Sequence, residues 1–224
     1  IAKLFHNRYH VDYDPVDEIM VTVGVSEAIG IVMTTLLNPG DEVLIPDPAY
    51  LAYPACVSIA RGKPVLVPTR AEDEFKLTVE ELEKKVTPRT KAILIGYPNN
   101  PTGTVMDRES LVKIADFAQK HDLVVISDEI YCDLTYEGTH TCFASLPGMK
   151  ERTLTMNGFS KSYAMTGLRI GYICGPREIM EQIYKVHQYE ILCASVTSQY
   201  GAIAALKYCD DDVKAMYDEY AARR

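Results

Sequence analysis

Lys91-Ala92-Ile93-Leu94-Ile95 runs apolar through its last four residues, with no polar residue alternating between them. A strand wetted on one face alternates; a strand covered by helices on both faces does not. Leu123-Val124-Val125-Ile126-Ser127, which ends at Asp128, has the same character. Between the two, Asp107 stands where a helix N-cap is expected, and Leu111, Ile114, Ala115 and Ala118 fall on one helical face. Buried strand, helix, buried strand is the repeating unit of a layered α/β domain with a mainly parallel sheet.

The pattern extends in both directions. Toward the N-terminus, Glu18 to Val23 is a strand closed by Gly24, and from Ser26 onward Ile29, Val32, Met33, Leu36 and Leu37 take helical spacing until Asn38-Pro39-Gly40 stops them. Glu42 to Pro46 predicts the next strand, with Asp47-Pro48-Ala49-Tyr50 as the turn beyond it. A short helical stretch to Ala60 follows, then the strand Pro64 to Val67. Thr78-Val79-Glu80-Glu81 has the form of a capping box, opening a helix that carries Leu82 and Val86 inward. Toward the C-terminus, residues 137–150 read as a polar loop before the strand Thr153 to Met156. Another strand, Ile170 to Ile173, follows a turn. Gly175-Pro176 sets proline in the first turn of a long helix with Ile179, Ile183 and Val186 on one side. About seven strands alternate with helices, without repeats, which predicts an α/β three-layer αβα sandwich.

Bulk composition narrows the function. Of 224 residues, 31 are Asp or Glu and 23 Lys or Arg, a formal net charge of −8 that argues against a nucleic-acid partner. Apolar runs reach strand length only, so no membrane association is expected. Six scattered cysteines without a C-x-x-C pair suggest reduced thiols of a cytoplasmic protein, and five histidines without ligand spacing suggest no metal site. Both ends fall inside helical patterns: Ile1, Leu4, Phe5 and Tyr9 at one, Val213, Met216, Tyr217 and Tyr220 at the other. They lack caps or a stop, and the chain is therefore expected to be part of a longer protein.

Ligands of such sheets sit beyond the carboxyl ends of the strands. The residues expected there are Gly24 to Glu27, Asp47 to Tyr50, Pro98 to Gly103, Asp128 to Tyr131 and the turn Asn157 to Arg169, which carries Lys161. Taken singly each has an ordinary reading. Gly24-Val25-Ser26-Glu27 can be just a helix start, Asn100 a loop brace, Asp128 a cap, Tyr50 and Tyr131 packing residues, and Lys161 a solvated lysine.

Together, V-T-V-G-V-S-E-A-I, N-P-G-D-E-V-L-I-P-D-P-A-Y, Y-P-N-N-P-T-G, S-D-E-I-Y and N-G-F-S-K-S-Y-A-M-T-G-L-R-I-G-Y resemble, in order and spacing, the class I/II aminotransferases. These are pyridoxal-phosphate enzymes of fold type I, near the aspartate/aromatic branch, and the resemblance runs from about Asp14 to the C-terminus. It implies an amino-group transfer between an amino acid and a 2-oxo acid, with pyridoxal 5'-phosphate as cofactor. Lys161 would form the internal aldimine and then move the proton, Asp128 would keep the pyridine nitrogen protonated, and Tyr131 with Asn100 would hydrogen-bond the ring's phenolic oxygen. Tyr50 would stack on the ring. Val25, Ser26 and Glu27 through the start of their helix, with Ser160 and Arg169 through side chains, would hold the phosphate.

The resemblance also implies a homodimer with the site at the subunit boundary. On that basis residues 1–224 would be the cofactor-binding large domain, without the N-terminal arm and without the C-terminal small domain that carries the arginine for the substrate α-carboxylate. Two departures stand out. Gly158 replaces a hydroxyl residue many relatives carry three positions before the lysine. No arginine occurs between Arg177 and Arg223 to receive a second substrate carboxylate. A carbon–sulfur β-lyase, and the cofactor-binding effector domain of an aminotransferase-like transcription regulator, share the same motifs and remain open alternatives.

Overall fold

The computed structural model describes residues 1–224. Seven strands form one sheet: β1 (Ile19–Thr22), β2 (Glu42–Asp47), β3 (Lys63–Pro68), β4 (Thr90–Gly96), β5 (Val124–Asp128), β6 (Thr153–Gly158) and β7 (Gly171–Cys174). Their order is β1-β7-β6-β5-β4-β2-β3. Only β7 runs against its neighbours, pairing antiparallel with both β1 and β6; the other pairs are parallel. The helices are α1 (Ala2–Tyr9), α2 (Gly24–Leu36), α3 (Ala52–Ile59), α4 (Val79–Glu83), α5 (Arg108–Lys120), α6 (Arg177–Glu190), α7 (Val196–Tyr208) and α8 (Asp210–Arg223).

The central strands carry no polar alternation because both faces are covered. On one face Ile45, Leu94, Ile126, Leu154 and Ile173 pack with Ile29, Val32 and Met33 of α2, Val57 of α3 and Ile183 of α6. On the other, Leu44, Ile93, Ile95 and Val125 pack with Leu82 of α4 and with Leu111, Ile114 and Phe117 of α5. A third cluster, around Phe5, Phe159, Tyr172 and Ala202, joins α1 and α7 to the β7 side. Each fully buried Leu, Ile or Phe contributes roughly 1.5–3 kcal/mol, so the three-layer arrangement follows from the apolar pattern read along the strands.

Most local signals are realised. The Asp107 side chain accepts the Ser110 N–H at 2.8 Å and starts α5. Thr78 accepts from the Glu81 N–H at 3.4 Å, but the Glu81 carboxylate pairs with Lys84 instead of turning back to the cap, so only half of the capping box forms. The helix it opens ends at Glu83, and Val86 packs on the core from beyond it. Pro176 is the N-cap residue of α6 and Arg177 its first helical residue.

One expectation fails. Residues 137–150 are not simply a polar loop: Cys142, Phe143, Ala144, Leu146 and Met149 are buried, and short 3-10 turns span Phe143–Ser145 and Lys150–Arg152. These side chains join the apolar clusters on the sheet, and the buried Glu129 carboxylate accepts the Phe143 N–H at 2.9 Å and meets His140 Nε2 at 2.9 Å. That contact ties the segment to the sheet.

Candidate active site

The sheet register sets the rim. Gly96 at the end of β4 is paired with Asp128 at the end of β5, and Asp128 with Met156 on β6. Two residues on, Gly158 faces Gly171, where β7 starts back, and Thr22 of β1 is also beside Gly171. The loops leaving these positions open into one hollow of ≈ 270 Å³. Val25, Ser26, Tyr50, Asn100, Asp128, Tyr131, Ser160, Lys161 and Arg169 all line it. Nine residues expected at the site, from five loops, thus meet.

Glu27 does not. Its side chain turns into the protein, accepts the Val23 N–H and meets His187 Nδ1 of α6 at 2.6 Å, both partners being buried. The carboxylate is a strut that ties the start of α2 to α6. Its contribution to the hollow is confined to the helix start it braces.

Glycines make the close approach possible. Gly24 lies at φ +72°, a conformation that disfavours any side chain, and a Cβ there would fall 2.6 Å from Arg169 Nη2. The guanidinium therefore lies directly against the first residue of α2, and its Nη1 donates to the Thr166 carbonyl at 2.9 Å. A Cβ at Gly158 would meet the Gly171 Cα at 2.8 Å and the Ile170 carbonyl oxygen at 2.9 Å. No hydroxyl residue fits at 158 without moving β7, which accounts for that departure in steric terms. The result is a helix N-terminus with an arginine against it, on a hollow that Ser26 and Ser160 also line, an arrangement suited to an anion.

Lys161 belongs to a tight turn in which the Ala164 N–H donates to the Lys161 carbonyl and the Met165 N–H to the Phe159 carbonyl, both at 3.1 Å. Its Nζ stands 5.4 Å from the centre of the Tyr131 ring, within cation–π range. The loop Pro98 to Gly103 is braced by Asn99, not Asn100: Asn99 Oδ1 accepts from the Thr102 N–H at 3.2 Å and the Thr102 hydroxyl at 2.9 Å. Asn100 is left on the wall of the hollow.

Asp128 is 5% exposed, and burial pushes its carboxyl up to about 6. Against that, the Tyr53 hydroxyl donates to Oδ2 at 2.8 Å and the Ile130 N–H to Oδ1 at 3.1 Å. The sequence alone does not single out Tyr53. It follows Tyr50 by three residues at the start of α3, their rings edge to face at 5.5 Å, and that i, i+3 spacing is the available signal. Its hydroxyl is shifted well above the ordinary range, first by burial and then by the Asp128 charge, so it stays a donor. A buried carboxylate held by two donors, with an amine and an anion cradle on the same hollow, is the outline of a site for a ligand with a cationic centre and an acidic tail.

The sheet order, with helices on both faces, places the chain in the fold type I class. The profile of the aminotransferase class I and II family matches residues 1–224, and the chain belongs to that family. It is 47% identical over its full length to the putative aminotransferase YugH of Bacillus subtilis, and 45% identical to aromatic-amino-acid aminotransferase 2 of Thermococcus litoralis. It spans 58% of the length of each of these relatives. The crystal structure of an aromatic aminotransferase from Pyrococcus horikoshii superposes with a TM-score of 0.96 at 44% identity, covering 99% of this chain and 60% of that one.

Proposed function

We propose that the protein is a pyridoxal-phosphate-dependent aminotransferase that moves an amino group between an amino acid and a 2-oxo acid. The 224 residues are taken as its cofactor-holding large domain within a homodimer. The observation that carries this reading is the convergence of Lys161, Asp128 and Arg169 on one hollow. The hollow fits the cofactor by its chemistry: an amine for an aldehyde, a buried carboxylate for a protonated ring nitrogen, and a helix start with arginine for a phosphate. Its ≈ 270 Å³ is close to the lower end of small-ligand sites, roughly 300 Å³ upward. The six free cysteines are consistent with a cytoplasmic setting.

When bound, pyridoxal phosphate supplies an aldehyde that takes up the amino group and a cationic ring that accepts the electron pair of a broken Cα–H bond. Lys161 Nζ would be the amine that holds the aldehyde carbon and, when freed by a substrate amine, the base that accepts the Cα proton and delivers it to the carbon on the far side of the nitrogen. Asp128, held by the Tyr53 hydroxyl and the Ile130 N–H, would keep the ring nitrogen protonated. Tyr131 and Asn100 would hydrogen-bond the ring's phenolic oxygen, and Tyr50 would cover a ring face. The N–H groups of Val25, Ser26 and Glu27 at the start of α2, with Ser160 and Arg169, would bind the phosphate. Arginine suits that task through its planar, two-pronged donor set.

The test is a single-turnover reaction of intact protein, loaded with cofactor, against a panel of amino acids. Conversion to the pyridoxamine form with release of the matching 2-oxo acid is expected. Cofactor binding with no 2-oxo acid from any amino acid would overturn the assignment, and pyruvate with ammonia from a cysteine conjugate would identify a lyase instead.

A further inference from the structure

Gly96 is not explained by its backbone. Its φ is not positive, unlike that of Gly24, Gly40, Gly103, Gly138 and Gly148. What it leaves open is space. A Cβ at 96 would fall 2.6 Å from the Tyr53 hydroxyl oxygen and 3.4 and 3.5 Å from Cζ and Cε2 of its ring. Gly96 is also the residue of β4 in register with Asp128 on β5. Tyr53, from α3, therefore lies across β4 at the one point where no side chain stands in the way, and reaches the carboxylate of the next strand at 2.8 Å.

We propose, resting on the reading of the preceding subsection, that Tyr53 is a positioning residue: seated over Gly96, it holds the Asp128 carboxylate oriented and ionised for the cofactor's ring nitrogen. Four groups act on that carboxylate besides burial. Tyr53 and the Ile130 N–H donate to it and Lys161 is an opposite charge, all favouring ionisation, while the Glu129 charge opposes it. Of the side chains, only Tyr53 makes a direct hydrogen bond to it. Tyr53 packs in the core with Ile45, Val57 and Leu94, so its ring is held from behind and the hydroxyl has a fixed reach. Gly96 thus acts on Asp128 through Tyr53, two residues that share no sequence proximity.

The experiment is a double-mutant cycle read on the cofactor-free intact protein. The carboxylic-acid C=O band of Asp128 is followed by infrared titration and assigned by its loss in Asp128→Asn. Removing a hydrogen bond to a charged acceptor moves its midpoint by about 1–2 pH units, so Tyr53→Phe is expected to raise it by that amount. Gly96→Ala is expected to raise it in the same direction by displacing the hydroxyl. In the Tyr53→Phe background Gly96→Ala is expected to do nothing further, because the 2.6 Å clash involves the oxygen alone and the ring atoms stand at ordinary contact distance. Both single variants should also retain pyridoxal phosphate about tenfold or more less tightly. A wild-type midpoint in Tyr53→Phe, an equal Gly96→Ala shift with and without the hydroxyl, or unchanged cofactor affinity despite the shift, would each overturn the proposal. Wild-type protein that takes up no pyridoxal phosphate would instead overturn the functional reading, and the cofactor-free titration would still report whether Tyr53 governs Asp128.

Discussion

Replacing Asp128 by Asn should change how stability depends on pH in the cofactor-free protein. The carboxyl is buried and shifted from 3.8 to about 6, a difference of roughly 2 units, or about 3 kcal/mol at 1.36 kcal/mol per unit. The sign follows from proton counting. Between about pH 4 and 6 the folded state holds the Asp128 proton and the unfolded chain does not, so this group makes stability fall as pH rises through that window. Its cost is fully present above the folded value and gone below the unfolded one. Glu42, lowered by its Lys63 and Thr87 hydrogen bonds, pulls the other way, as do other carboxylates, so the readout is the difference between wild type and variant. Urea unfolding at a series of pH values from about 4 to 8 supplies it. The Asp128→Asn variant should lack this contribution, so that wild type minus variant drifts downward by about 3 kcal/mol across the window. A constant difference would refute the claim that Asp128 is held buried at a cost. A cation brought within hydrogen-bond distance of a carboxylate gains roughly 5 kcal/mol at an effective dielectric near 20, which exceeds that cost. Saturating cofactor should therefore remove the downward drift in wild type.

Arg169→Lys should weaken cofactor retention about tenfold to hundredfold, since a point charge replaces a two-pronged donor worth roughly 1–3 kcal/mol; equilibrium dialysis measures it, and wild-type affinity would contradict the assigned contact. Gly24→Ala should cost about 1–3 kcal/mol in urea unfolding and also loosen phosphate binding, because the new Cβ meets both a positive φ and the Arg169 guanidinium. His187→Ala leaves the buried Glu27 carboxylate without its imidazole partner and should cost about 2 kcal/mol, more than an exposed histidine such as His6 would when replaced. Equal costs for the two histidines would mean that the α2–α6 strut carries no load.

The fold is legible because burial on both faces writes itself into local sequence. Ile93, Leu94 and Ile95, or Val125 and Ile126, need no knowledge of their neighbours to be read as covered strands. The rim residues are legible for a related reason: each lies at or just beyond a strand end, and strand ends of a parallel sheet share one edge. What escapes notice depends on partners far away in the chain. Tyr53 meets Asp128 across 75 positions, and Glu27 meets His187 across 160. Gly96 draws no notice in the sequence, and Gly158 draws it only as a turn glycine that departs from the family's hydroxyl, until the phenol and the β7 backbone that need their space are placed beside them. Residues 137–150 read as polar because interspersed polar residues mask Cys142, Phe143 and Leu146, which pack into the apolar clusters on the sheet while Glu129 holds the Phe143 N–H.

Everything functional rests on Lys161 being the amine that binds the cofactor. Borohydride reduction of the cofactor-loaded protein, followed by proteolysis and mass spectrometry, tests that directly. The account predicts a single pyridoxyl adduct on the peptide Ser160-Lys161-Ser162 and its loss in Lys161→Ala. An adduct on another lysine, or one that persists in the variant, would contradict it.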